Sequence, residues 1–249
     1  MDKEVFEQAK VKVLLGRYEQ HGFGTLQEKT VHSVMKLYYE QNPDYHEVPI
    51  EGFIADIYTG SRIIEIQNGN FNRLRDKLET FLPLYKVMVV FPIPHNRWLV
   101  WMDKQSGELS PRRKSPITGS IYSAFPELYK IKKYLTHPNL SFAFPLIDVD
   151  EYRVRDAKDK TWRKRGTRYD RMPLELHDEI IIERKEDFIQ VIPIELENAF
   201  TVKEFAKAAH IHHELAQITL HILYSMKLID RIGKRGREYL YEVSEVSGQ

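Results

Sequence analysis

The chain has 249 residues, 37 Lys and Arg against 36 Asp and Glu, ten histidines, no cysteine, 42% apolar and 12% aromatic residues. This composition is that of a globular chain with apolar residues for a core, which excludes disordered, collagenous and low-complexity architectures. The lack of cysteine excludes disulfides, thiolate zinc sites and a cysteine nucleophile.

Residues 3–19 carry apolar spacing suited to a helix that ends near His21-Gly22-Phe23-Gly24. Thr25 and Glu28 then read as a capping box opening a second helix, which runs through Val31, Val34 and Tyr38 to Asn42-Pro43-Asp44. Residues 46–58 and 62–67 read as two strands, and Thr59-Gly60-Ser61 is turn chemistry between them. After Asn68-Gly69-Asn70 comes a helix with Phe71, Leu74, Leu78 and Phe81 on one face. Residues 84–93 are almost continuously apolar, as in a strand buried on both faces. Further on, 97–103 alternates as a strand, 127–135 reads as a helix and 141–149 as another strand. The longest apolar runs, 87–91 and 142–147, are too short to cross a bilayer. The start Met1-Asp2-Lys3-Glu4 lacks the apolar stretch of a signal peptide, so a cytoplasmic address and no membrane partner are expected.

The last sixty residues have a different grammar. Thr201 caps a short helix carrying Val202, Phe205 and Ala206, and a second helix spans 213–226. Two strands, 229–232 and 238–243, flank the basic tip Gly233-Lys234-Arg235-Gly236. Helix, turn, helix and basic hairpin in this order are the plan of a winged helix-turn-helix. The expected fold is therefore α/β, a mixed sheet flanked by helices over 1–155. A basic and acidic connecting segment follows over 156–184, and a small winged-helix domain over 185–249.

The stretch 54–67 carries the chemistry. In a two-residue hairpin centred on Thr59-Gly60, Asp56 faces Ile63, and Glu65 is its diagonal neighbour. Asp56, Glu65 and Gln67 then share one face of the ladder. Diagonal neighbours lie about 7–8 Å apart at the backbone, near enough for two carboxylates to hold one hard cation between them. Glu65, flanked by Ile63, Ile64 and Ile66, needs a partner for its charge.

Asp56, followed after eight residues by Glu65-Ile66-Gln67 and preceded by Glu28 on an upstream helix, resembles the PD-(D/E)XK nuclease superfamily. The helix over 70–81 and the strand over 84–93 follow in that core's order. The resemblance covers 20–100 well and 100–150 loosely. It implies that Glu28, Asp56 and Glu65 ligate Mg²⁺ or Mn²⁺, with the carbonyl of Ile66 adding an oxygen, for hydrolysis of DNA phosphodiesters. It also allows a homodimer. Gln67 departs from the family, which usually places Lys there; Gln supplies a hydrogen bond but no positive charge. In some branches the lysine arrives from the next helix, which makes Lys77 a candidate catalytic residue, with Arg73 and Lys86 as alternatives. His32, one turn after Glu28, can line the same site or simply occupy a helix face.

Charge is strongly segregated, with a net of +6 over 153–171, −6 over 173–200 and +4 over 227–237. Basic patches, rather than total charge, are what a polyanion meets. The second helix of the C-terminal unit presents His213 and Gln217, with His221 one turn further along the same face. Gln217 can pair with adenine, while Lys234, Arg235 and Arg237 on the wing meet phosphates. Arg163-Lys164-Arg165, with Trp162 and Tyr169 nearby, is a further strand-tracking candidate. DNA is the expected partner and a metal-dependent nuclease the expected activity. Two alternatives are a nuclease-like DNA-binding regulator that does not cut and a winged-helix protein-interaction module.

Overall fold

The computed structural model describes residues 1–21, 30–155 and 166–244. The capping box at Thr25 and Glu28 and the basic run 163–165 lie outside these residues. Helices α1 (Lys3–His21) and α2 (Thr30–Tyr39) lead into three antiparallel strands, β1 (His46–Ile50), β2 (Phe53–Tyr58) and β3 (Arg62–Ile66). Helix α3 (Arg75–Phe81) then crosses to β4 (Lys86–Val90), which lies parallel to β3.

A long strand β5 (Ile93–Asp103), the short β6 (Arg113–Lys114) and helix α4 (Phe125–Lys130) follow. Two 16-residue strands, β7 (Leu140–Arg155) and β8 (Thr167–Ile182), complete one eight-stranded sheet of order β1-β2-β3-β4-β7-β5-β6, with β8 also paired to β7. The sheet is mixed and flanked by helices.

Alternation of side chains sorts the core onto two faces. Ile63, Val87, Val89, Phe142 and Phe144 pack beneath α3 and α4, with Leu74, Leu78, Phe81, Phe125 and Leu128. Ile64, Ile66, Met88, Val90 and Ala143 pack beneath α1 and α2, with Phe6, Val13, Val31 and Val34. Strand β4 is buried from Val87 to Val90, as its continuous apolar run predicts. Strands β4 and β5 run one after the other along β7. The first pairs with residues 140–143 and the second with 146–155. The upper part of β5–β7–β8 therefore projects beyond the C-terminal ends of β3 and β4 as an arm.

Several expectations change. The helix expected over 70–81 is a 3₁₀ turn, Phe71–Leu74, followed by α3. Residues 46–58 are two strands, because Glu51 and Gly52 both adopt positive φ (50° and 81°) in a tight turn that pairs Ile50 with Phe53. The β2–β3 turn is longer than a two-residue hairpin: Tyr58 pairs with Ile63 and Ile57 with Ile64, and the Thr59 amide donates to the Arg62 carbonyl. The register moves by two, and the ladder stops at Ile57–Ile64, so Asp56 and Glu65 form no ladder pair: Asp56 is reached by His32 from α2 and Glu65 by Lys77 from α3. The helix expected over 127–135 is α4 followed by a 3₁₀ turn, Lys132–Tyr134. Finally, most of the described part of the 156–184 connector is β8, whose Met172, Leu174 and Leu176 alternate with Arg171, Pro173 and Glu175 in strand period.

The C-terminal unit comprises β9 (Ala199–Thr201), α5 (Val202–Ala208), α6 (His213–Ser225), β10 (Ile229–Arg235) and β11 (Glu238–Val243). Its three strands form a separate antiparallel sheet of order β10-β11-β9. Thr201 and Glu204 make a reciprocal capping box at the start of α5. Phe205, Leu220 and Leu223 join the same apolar cluster as Phe125, Leu128 and Phe188, so the unit is packed onto the α4 side of the sheet. Among the described residues no helix is long and apolar enough to cross a membrane.

Candidate active site

Glu65 lies on β3 with its side chain 1% exposed. An ionised carboxylate cannot be left alone at such a depth. Helix α3 answers this. Leu74, Leu78 and Phe81 fix the helix on the sheet, which leaves Lys77 at the flank of the buried stripe, above the end of β3. Its ammonium donates to Glu65 Oε1 (2.8 Å), to Oε2 (2.7 Å) and to the Ile54 carbonyl (2.6 Å).

Asp56 sits beside this pair where β2 and β3 part. Its Oδ2 accepts the Ile66 amide at 2.7 Å, and His32 Nε2 from α2 stands 3.3 Å from the same oxygen. The two acids are driven in opposite directions. Burial pushes Asp56 up, but the hydrogen bond and charge of His32, with the Ile66 amide and Lys77, outweigh it and hold this carboxyl below its ordinary range. Glu65 is pushed up to about 7, by burial first and by the negative charge of Asp56 second, despite Lys77.

The structure thus brings Asp56, Glu65 and Lys77 together and adds His32. Gln67 stands at the end of β3, half-buried, its backbone N–H donating to the Val90 carbonyl. Glu28 lies outside the described residues. Arg73 is exposed, and Lys86 pairs with Arg62 at the opposite end of the strands, so neither takes the place of Lys77. A surface hollow of about 860 Å³ also lies at that far end, along residues 58–62 and 84–86. Its lining residues include no carboxylate, and the buried acids Asp56 and Glu65 lie at the other end.

In the C-terminal unit, His213 and Gln217 on α6 line a groove of about 470 Å³ with Arg231, Arg237 and Tyr239. His213 Nε2 is 3.7 Å from Glu238. Lys234 lies over the Tyr239 ring at 5.2 Å, and Arg235 is tied to Glu204 at 2.5 Å. His212 has a local role: its Nδ1 accepts the Leu215 amide and caps α6. His221 stands against Lys132 (3.1 Å) of the main unit. The residue that pattern reading misses is Arg231, held between the rings of Tyr224 (4.4 Å) and Tyr239 (4.2 Å). The spacing 224–231–239 crosses a helix and two strands and has no periodic signature.

Residues 29–183 match the family model described as a domain of unknown function, DUF8091. The chain belongs to the DUF8091 family. The matched region runs from the start of α2 to the end of β8, so the DUF8091 unit contains Asp56, Glu65, Lys77 and the arm, and leaves out the C-terminal unit. An uncharacterized protein of Treponema pallidum (strain Nichols) is 28% identical over 224 residues, covering 87% of this chain and 86% of its own. No solved structure matches the chain.

Proposed function

We propose that this protein is a metal-dependent nucleic-acid phosphodiesterase of PD-(D/E)XK type, with a C-terminal winged helix-turn-helix that delivers DNA to it. The observation that carries the reading is the buried Glu65 gripped by Lys77 from the following helix, beside Asp56 at the parting of β2 and β3. Lys77 supplies the cation that Gln67 lacks. The order helix, three antiparallel strands, helix, parallel strand supports the same reading. So does the strand order β10-β11-β9 around α5 and α6 for the C-terminal unit.

Among the described residues no three His, Asp or Glu side chains converge as a ready metal cage. The donors at hand nevertheless suit a hard cation. Two carboxylates and a backbone carbonyl are oxygen ligands, and Mg²⁺ is commonly held by one or two carboxylates with water completing its shell. Asp56, Glu65 and the Ile66 carbonyl would hold it, and when bound it would supply Lewis acidity at the scissile phosphate. The protein's own groups do the rest. His32 and the Ile66 amide keep Asp56 ionised and oriented. Lys77 orients Glu65 and offers positive charge where negative charge develops on the phosphate. Glu65, titrating near neutrality, can hold or release a proton at its carboxylate.

The test is cleavage of supercoiled plasmid and of single-stranded DNA with Mg²⁺ or Mn²⁺. Asp56→Ala and Glu65→Ala are expected to abolish cleavage with DNA binding intact, and Lys77→Ala to slow it by roughly 10²–10³. Unchanged cleavage in both carboxylate variants rejects the assignment. DNA binding without nicking by the wild type would identify a nuclease-like regulator instead.

A further inference from the structure

The arm formed by β5, β7 and β8 carries arginines that make no ion pair among the described residues. Pairing across the ladders places residues on a common face: Trp101 beside Arg153, Arg153 beside Arg168, and Glu151 beside Arg171. Arg97 and Arg155 belong to the same face through their partners Val149 and Asp103. Five arginines therefore share one side of a three-stranded ribbon.

Glu151, almost fully buried beneath them, binds Arg153 at 2.6 Å and Arg171 at 2.9 Å. Asp103 is committed to the turn that follows it, accepting the amides of Gln105 and Ser106. Arg97, Arg155 and Arg168 make no ion pair among the described residues, although Arg155 stands 5.8 Å from the centre of the Trp101 ring. Like charges directly opposite on a ladder, as Arg153 and Arg168 are, destabilise a sheet. A guanidinium cannot relieve that repulsion by losing its proton. The strain is felt within the patch: burial first, then Arg168 and Arg97, push Arg171 down to about 10.

The patch also has a direction. Arg168 and Arg171 share a cleft with Asn68 and Val31, and with Asp170, which accepts from Thr30. Asn68 is two residues past Ile66, whose amide holds Asp56. From Arg97 to Asp103 the arm rises about 20 Å at roughly 3.3 Å per residue. That length accommodates several successive phosphates of a nucleic-acid strand.

We infer that the arginine face of the β5–β7–β8 arm binds the phosphate backbone of a single nucleic-acid strand and leads it to the Asp56–Glu65 site. Fixed positive charge with an aromatic ring among the cations is the chemistry of sequence-tolerant strand binding. This inference rests on the phosphodiesterase reading only for what happens at the strand's far end.

The test is fluorescence anisotropy of the full chain with a labelled single-stranded 20-mer in EDTA, where binding is read without cleavage, across a salt series. In the triple variant Arg97→Gln, Arg155→Gln, Arg168→Gln, the slope of log K against log salt is expected to shrink by about 2, at about 0.7 per lost contact. Affinity near 0.1 M salt should fall roughly 10²-fold. A variant of equal charge change elsewhere, Lys3→Gln, Lys133→Gln, Arg184→Gln, should keep the wild-type slope. A triple variant that melts like the wild type and binds with unchanged slope overturns the inference, as does equal weakening by the control. Should the triple variant fail to fold, Arg155→Gln alone decides, with a slope change of about 0.7 expected and none refuting. Arm-dependent binding without any cleavage would sink the phosphodiesterase reading and leave this one standing; cleavage with arm-independent binding would do the reverse.

Discussion

Replacing Glu65 by Gln should remove the way stability at this site depends on pH. The wild-type carboxyl is 1% exposed and titrates at about 7 in the folded protein, against an ordinary value of 4.5. The folded chain therefore holds this proton more tightly than the unfolded chain does. Its contribution to stability is complete below about pH 4.5 and is lost as pH rises through about 7. At about 1.36 kcal/mol per unit, the displacement corresponds to about 3 kcal/mol. Glutamine does not titrate, so the variant should lack this fall. Urea unfolding of both proteins between pH 4.5 and 8 is the assay, and taking their difference removes the other titrating groups. The wild type should lose about 3 kcal/mol relative to Glu65→Gln across that interval. Mg²⁺ added at about pH 8 should restore stability to the wild type alone, since a ligand that binds the folded state raises its stability. Parallel pH profiles would refute the reasoning, because they would mean that the carboxylate is already fully compensated by Lys77.

His32→Gln removes a charged partner of Asp56, so the acidic limb of the pH–rate profile for DNA cleavage should move to higher pH; an unmoved limb would show that the Ile66 amide alone keeps Asp56 ionised. Glu151→Ala leaves Arg153 and Arg171 without their shared carboxylate, and is expected to cost about 3–5 kcal/mol in urea unfolding. A loss below about 1 kcal/mol would mean that solvent reaches the pair freely.

Much of this architecture is written in local patterns. Thr59-Gly60-Ser61 marks a turn, and Glu65 among isoleucines announces a buried charge in need of a partner. The turn's true length shifts the register by two from the two-residue hairpin, which pairs Ile57 with Ile64 on one face and Tyr58 with Ile63 on the other. Lys77 is one of three basic candidates in the sequence. Only the packing of Leu74, Leu78 and Phe81 on the sheet separates it from Arg73 and Lys86. The arm is not legible. Its strand period in β8 is overlaid by a segregation of charge that reads as a linker, and its arginine face is assembled from three strands between Arg97 and Arg171. No local window contains such a surface.

The sheet offers an internal comparison for the candidate site. Among the described residues it buries two glutamates, Glu65 and Glu151, each almost fully. Burial pushes Glu151 up, but Arg171 and Arg153 more than offset it, and this carboxyl sits below its ordinary range. Glu65 meets the same burial with one lysine, and Asp56 competes for that lysine's field, so it rises to about 7. The difference between them is the local balance of charge: one acid against two fixed cations on the arm, two acids against one lysine and the titratable His32 at the end of β3. Stability alone would favour the first arrangement, because a buried charge short of compensation destabilises the fold. An arrangement short of positive charge at the mouth of an oxygen-lined site is what a hard cation would complete, and Glu151, with its two arginines, has no such shortage. The charge deficit at Asp56 and Glu65, more than the motif spacing, is therefore the physical reason to look for a divalent ion there.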